Sequence, residues 1–138
     1  IANQTNPKPK IARNCIRAFL VGGGICTIAQ IFQELLIKYG FPEDDVKMLL
    51  PIIMVFLGAL LTGVGIYDKI ASYGGAGTVV PITGFSNAIV APAIEFKQEG
   101  FIFGVAAKMF TIAGPVLVYG IGSSVIIGII YYIIQLLI

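Results

Sequence analysis

The sequence predicts an all-α integral membrane protein with about three transmembrane helices and a re-entrant half-helix broken by glycine and proline. Of its 138 residues, 57% are hydrophobic, and the mean hydropathy is +0.94. Only 12% are charged, whereas about a quarter are charged in a typical soluble protein. The stretch Ile70–Ile94 has no charged residue, yet it contains four glycines and two prolines. A lipid-facing helix does not need so many residues that break helices.

Three segments are long enough to cross a bilayer core about 30 Å thick, which takes about 20 helical residues. The expected spans are Ala18–Ile37, Leu49–Ile66 and Pro115–Leu137. Pro51 falls in the first turn of the second span, where its missing N–H costs little. The stretch Phe101–Ile138 is too long for one span, so we expect Gly114 and Pro115 to separate a shorter helix, Phe101–Ala113, from the third span.

Basic residues precede the first span and predict the orientation of the chain. We divide the sequence into a basic arm, residues 1–17, and a membrane domain, residues 18–138; because the sequence opens at Ile1, we expect upstream residues to be missing. The arm carries Lys8, Lys10, Arg13 and Arg17. By the positive-inside rule the N-terminus is cytoplasmic and the loop Lys38–Met48 is external.

The segment Ile82–Ala91, between Pro81 and Pro92, would be about 15 Å long as a helix, which is half a bilayer. We therefore predict a re-entrant half-helix. Irregular backbone is tolerated at membrane depth only where protein buries it or where it lines a polar cavity. Broken segments of this kind are typical of binding sites in transporters.

Polar groups in and around this segment are the first candidates for a solute path. A glycine turn and a helix start both present backbone N–H groups, which attract anions. The candidates are Gly74, Gly75, Gly77, Thr78, Thr83, Ser86 and Asn87. Together they predict an anionic or polar small solute, whereas a plain glycine hinge is the simpler interpretation of the glycines alone.

Charged residues supply further candidates, each with an ordinary alternative. Glu95 follows the half-helix and is either solvated or functional, and Lys108 either snorkels to an interface, pairs with Glu95 or meets an anionic solute. On the first span a small and polar stripe includes Thr27, Gln30 and Glu34. It either lines the path or faces the bundle, and Glu34, one turn from the helix end, could instead snorkel to the interface.

Rows of small residues predict close helix packing. Gly58 and Thr62 form one row in the second span, and Gly120, Ser124 and Gly128 form another in the third. Such rows let helix backbones approach closely in lipid. Packing within the chain is the first explanation; contact with a second copy or another subunit is the alternative.

The absence of histidine from the sequence argues against an enzyme, since no Ser-His or Cys-His pair can form. We therefore predict no catalytic residue, metal site or cofactor. The two cysteines, Cys15 and Cys26, have no metal-ligand spacing and are interpreted as small buried hydrophobic residues.

Four stretches of the chain resemble the stage V sporulation protein AC family of spore-forming bacteria. They are NCIRAFLVGGGICTIAQ (Asn14–Gln30), LLTGVGIYDKI (Leu60–Ile70), GGAGTVVPITGFSNAIVAPAIEFKQEG (Gly74–Gly100) and KMFTIAGPVLVYG (Lys108–Gly120). The related AE subunit shares the glycine segment, but the last stretch favours AC. The residues of this sequence that match the family's motifs are Gly74, Gly75, Gly77, Pro81, Gly84, Phe85, Glu95, Gly100 and Lys108.

The resemblance implies a multi-pass protein of the forespore and spore inner membrane. It would work with other subunits in moving dipicolinic acid, with or without calcium, during spore formation and germination. A tension-gated channel activity is also associated with this family. The expected partners are therefore the lipid bilayer, other subunits of the complex or a second copy, and dipicolinic acid, with no nucleic acid. The alternative is a structural subunit that anchors partners without conducting.

Overall fold

The computed structural model describes residues 10–137, and almost all of them are helical. The helices are α1 (Ile11–Lys38), α2 (Glu43–Gly63), α3 (Tyr67–Gly74), α4 (Ala76–Val79), α5 (Ile82–Glu95) and α6 (Ala107–Leu137). A 3₁₀ turn (Phe96–Glu99) and a π-helical turn (Phe101–Ala106) lie between α5 and α6. Three helical stretches, Ile11–Lys38, Glu43–Gly63 and Phe101–Leu137, are long and apolar enough to cross a membrane. The predicted class, an all-α membrane protein with about three spans, is confirmed.

The first two helices begin earlier than the spans predicted from hydropathy. Helix α1 begins at Ile11, inside the predicted basic arm, while Lys8 lies outside the described residues. Helix α2 begins at Glu43, and its first turn contains three acidic residues, which the positive end of the helix dipole stabilises. The prediction that Pro51 lies in the first turn is therefore wrong, since Pro51 lies inside α2.

The glycine-rich segment is broken as predicted, but its half-helix is longer than expected. Gly75 separates α3 from α4 with φ +53°, a conformation that glycine adopts without strain. Helix α5 begins at Ile82, as predicted, but continues through Pro92 to Glu95 rather than ending at Ala91. Its 14 residues measure about 21 Å, still shorter than the bilayer core.

The predicted break at Gly114 and Pro115 is also wrong, because α6 runs without interruption from Ala107 to Leu137. Proline removes a single backbone donor, and membrane helices tolerate this loss because local adjustments satisfy the freed carbonyl. The helical run is interrupted instead at Gly100, where φ is +95°. The continuous stretch Phe101–Leu137 has 37 residues, about 55 Å of helix, and is longer than a bilayer core is thick.

The chain forms two compact units, Ile1–Asn87 and Ala88–Ile138. In the described part of the first unit, α1 packs against α2, α3 and α4, and Val46, Met54 and Tyr67 are buried. In the second unit the π-helical turn packs against the 3₁₀ turn and continues into α6. The broken segment packs against its helical neighbours within the first unit.

Candidate functional site

Glycines bring the broken segment into backbone contact with α1. A Cβ atom on Gly77 would overlap the Ala18 carbonyl oxygen, and one on Gly22 would lie 3.2 Å from the carbonyl oxygen of Gly77. A Cβ on Gly74 would lie 2.8 Å from the Val21 side chain. The glycines in this segment therefore serve close packing as well as the turn at Gly75.

Tyr67 lies at the centre of a cluster of buried, hydrogen-bonded polar atoms, next to the contact between the broken segment and α1. Its hydroxyl oxygen lies 2.9 Å from the Thr78 carbonyl oxygen and 2.9 Å from the Thr83 hydroxyl oxygen. A phenol has one hydrogen, so Tyr67 donates to the carbonyl and accepts from Thr83. Tyr67 is 3% exposed and Thr78 is 1% exposed. This pair of bonds joins the start of α3 to α4 and to the first turn of α5.

A second pair of hydrogen bonds joins α5 to α2. Ser86 Oγ donates to the Val55 carbonyl oxygen at 2.8 Å, and Thr62 Oγ1 donates to Asn87 Oδ1 at 2.8 Å. The Thr62 hydroxyl also lies 2.7 Å from the Gly58 carbonyl oxygen, so its hydrogen is shared between two acceptors. These bonds tie α5 to α2 at two successive positions.

Gly58 makes this approach possible. A Cβ atom there would lie 2.8 Å from the Thr83 carbonyl oxygen and 3.0 Å from Ser86 Cβ. Two members of the small row predicted in α2, Gly58 and Thr62, therefore lie directly against α5. We call the hydrogen-bonded side chains Thr62, Tyr67, Thr78, Thr83, Ser86 and Asn87 the polar lock.

The polar lock contains all four hydroxyl and amide candidates of the broken segment, namely Thr78, Thr83, Ser86 and Asn87, but it encloses no open path. Thr78, Thr83 and Ser86 are buried and Asn87 is half-buried. Among the described residues, every buried side-chain polar atom has a hydrogen-bond partner. In this conformation these side chains contact protein rather than an open aqueous path.

A cleft beside the start of α5 is apolar. It measures about 340 Å³ and lies among α1, α2 and the start of α5. Its lining residues are Ile25, Cys26, Ala29, Leu50, Pro51, Met54, Pro81 and Ile82. None of them carries a charge or a hydroxyl, so this cleft offers a polar solute no side-chain partner of that kind.

Cys15 and Cys26 are both exposed free thiols, contrary to the prediction that they are buried.

The other candidates of the first unit lie on an exposed face of α1. Thr27 donates to the Gly23 carbonyl at 2.9 Å, and Gln30 donates to Glu34 at 2.9 Å. All three predicted residues, Thr27, Gln30 and Glu34, are exposed, so they are not brought into the polar lock.

In the second unit, Lys108 does not pair with Glu95. Its Nζ atom lies 4.0 Å from the centre of the Phe96 ring, in a cation–π contact. Within residues 10–137 the ion pair that forms is Lys47 with Asp44. The proposed Glu95–Lys108 pair is therefore wrong for this conformation. The turn that follows Glu95 brings Phe96, the next residue, to the lysine, and Glu95 is exposed.

The row of small residues in α6, Gly120, Ser124 and Gly128, has no packing partner within the described part of its own unit. A Cβ atom on Gly120 or Gly128 would meet no atom of the described second unit within 4 Å, and Ser124 is exposed. Across residues 10–137, no three Asp, Glu, Cys or His side chains lie close enough to hold a metal ion.

Sequence reasoning missed Tyr67 and the role of Gly22. Tyr67 lies between the second predicted span and the glycine segment, and an aromatic ring with one polar atom beside a buried glycine segment was the available signal. The run Gly22–Gly24 likewise indicated a close approach on α1, but not which element approaches it.

Comparison with known proteins agrees with the membrane fold. The model of the "SpoVAC/SpoVAEB sporulation membrane protein" family matches residues 14–130. The chain is 44% identical over 127 residues to "Stage V sporulation protein AC" of Bacillus subtilis (strain 168), which covers 91% of this chain and 85% of that protein. No solved structure matches the chain.

Proposed function

Because the chain belongs to the SpoVAC/SpoVAEB family of sporulation membrane proteins, we propose that it is a channel or transport subunit for dipicolinic acid. It would act in the forespore and spore inner membrane, with its N-terminus in the cytoplasm, during spore formation and germination. The observation that carries the proposal is the polar lock, a cluster of hydroxyl and amide groups in a broken segment among apolar helices.

The polar lock explains how one segment can be closed and still serve a polar solute. Separation of α5 from α2 would break the bonds of Ser86 and Asn87 and expose their side chains. A hydrogen bond between membrane helices is worth about 0.6 kcal/mol on average and up to about 1.7 kcal/mol. The two bonds thus stabilise the closed form by roughly 1–3 kcal/mol. A gate of this size opens in response to a modest force, such as membrane tension.

Dipicolinate is a dicarboxylate, and it loses hydration when it enters a membrane protein. Hydroxyl and amide groups of the polar lock would replace the hydrogen bonds that dipicolinate made with water. Lys108 is the candidate for charge attraction, and it would leave the Phe96 ring to meet a carboxylate. Glu95 is the candidate for contact with calcium, which prefers oxygen ligands.

Three spans are few for enclosing an aqueous path, so we propose that the conducting unit contains more than one chain. The unpacked row of Gly120, Ser124 and Gly128 would meet another subunit of the complex or a second copy.

Flux measurements in proteoliposomes test the proposal. Vesicles loaded with dipicolinate would carry this chain alone, this chain with candidate partner subunits, or no protein. We expect protein-dependent release that increases after osmotic downshift. If neither protein preparation releases dipicolinate faster than empty vesicles, the chain is a non-conducting structural subunit.

A further inference from the structure

A second cleft in the first unit combines positive charge with polar donors, and it is separate from the polar lock. It measures about 420 Å³ and lies between the start of α1 and the end of α3. The residues that matter here are Asn14 and Arg17 of α1, Ser72 and Tyr73 of α3, and the turn at Gly75.

Arg17 is held in position by an aromatic ring. Its guanidinium carbon lies 4.5 Å from the centre of the Tyr73 ring. A guanidinium group that stacks on a ring keeps its N–H groups in the plane, where they can bind two oxygens of one anion. Within residues 10–137 no carboxylate lies within 4.0 Å of Arg17, so its charge has no acidic partner there.

The surroundings of Arg17 add positive charge. Arg13 precedes it by one helical turn and Lys10 precedes the helix, and both are exposed. On α3, which forms the other wall, Asp68 and Lys69 offset each other in formal charge. The end of the cleft nearest α1 is therefore electropositive.

The position along α1 indicates where the cleft lies relative to the membrane. Arg17 directly precedes the apolar span, while Phe19 and Leu20 just beyond it are 78% and 61% exposed, as expected for lipid-facing side chains. Tyr73 is 55% exposed, and tyrosine is enriched where membrane and water meet. The cleft thus lies at the level of lipid headgroups.

We propose that this cleft binds the phosphate group of an anionic phospholipid. Arg17 would bind two phosphate oxygens, and the Asn14 amide and the Ser72 hydroxyl would donate to the remaining headgroup oxygens. Basic pockets between membrane helices are suited to anionic headgroups. The bound headgroup would link α1 to the glycine turn. This inference does not depend on the proposed transport of dipicolinate.

The test uses the full chain in nanodiscs made of phosphatidylcholine with increasing amounts of phosphatidylglycerol, and native mass spectrometry counts the lipids that stay bound. We expect selective retention of phosphatidylglycerol by the unmodified chain. Arg17→Gln should weaken this retention roughly 10- to 100-fold, because a hydrogen-bonded charge is lost. Asn14→Ala should weaken it roughly 2- to 10-fold. Arg13→Gln is the matched control, since it removes the same charge from a residue that does not line the cleft, and retention should fall far less than with Arg17→Gln.

Folding is checked by size and thermal unfolding in phosphatidylcholine alone, and Asn14→Ala keeps the proposal testable if Arg17→Gln fails to fold. Equal retention of the two lipids would overturn the proposal. Equal losses for Arg17→Gln and Arg13→Gln would also overturn it, because binding would then depend on diffuse surface charge. In nanodiscs without phosphatidylglycerol, Arg17-dependent binding of added dipicolinate, together with no selectivity for phosphatidylglycerol, would assign the cleft to a carboxylate solute instead.

Discussion

Replacement of Tyr67 by phenylalanine tests whether the polar lock holds the broken segment closed. Tyr67→Phe keeps the buried ring but removes the hydroxyl that donates to Thr78 and accepts from Thr83. Both partners are buried, so neither gains water in exchange. The Thr78 carbonyl loses its Tyr67 donor, and the Thr83 hydroxyl loses an acceptor.

The size of the effect follows from these two bonds. Each membrane hydrogen bond contributes about 0.6 kcal/mol on average and at most about 1.7 kcal/mol. The loss of both should therefore lower the free energy of unfolding by roughly 1–3 kcal/mol. The same loss weakens the closed form, so dipicolinate should leak through the variant at a lower osmotic downshift than through the unmodified chain.

Unfolding in mixed micelles and flux in proteoliposomes measure the two effects. Tyr73→Phe is the matched control: Tyr73 is 55% exposed, it has no side-chain hydrogen bond among the described residues, and the substitution keeps its ring over Arg17. If Tyr67→Phe and Tyr73→Phe unfold alike and release dipicolinate alike, the Tyr67 hydroxyl does not hold the segment and the account of the lock is wrong.

Three further substitutions follow from the packing and the charges. Gly58→Ala should lower the free energy of unfolding by about 1–3 kcal/mol, because its Cβ would press on the Thr83 carbonyl; Gly63→Ala, which has open space, should cost less in the same assay. Gly120→Leu should leave the unfolding of the isolated chain unchanged but disrupt assembly on sizing columns, whereas Gly122→Leu, on the other side of α6, should not. Lys108→Ala should reduce dipicolinate flux strongly and Lys108→Arg should retain part of it; normal flux in the alanine variant at normal abundance would mean that the lysine only contacts Phe96.

The sequence was sufficient to predict the number of spans, but not whether each proline ends a helix. Pro51, Pro92 and Pro115 were each expected to lie at or near a helix boundary, and all three lie inside helices. A proline removes one backbone donor, whereas the end of a helix leaves four donors or four acceptors without partners. In an apolar environment the second cost is larger, so the helix continues. Gly75 and Gly100, with positive φ, mark real breaks.

The sequence was enough to predict which segment holds the candidate site, but not which partners its side chains would contact. The four polar candidates are identifiable because hydroxyl and amide groups are unusual among so many apolar residues. Their partners depend on tertiary packing: Ser86 bonds the backbone of Val55, thirty-one positions away, and no sequence period indicates that contact. The contact of Lys108 also depends on tertiary structure. The turn after Glu95 places the Phe96 ring, and not the Glu95 carboxylate, next to the lysine.

The most direct test of the central claim is the accessibility of Ser86 to water while dipicolinate moves. The chain would carry Ser86→Cys in a background where the exposed Cys15 and Cys26 are replaced by serine. A charged, membrane-impermeant thiol reagent would be added to dipicolinate-loaded proteoliposomes before and during osmotic downshift. The account predicts no labelling at rest, labelling during downshift, and reduced release once the cysteine is labelled. If the vesicles release dipicolinate through the protein while this cysteine stays unlabelled, the solute does not pass the polar lock.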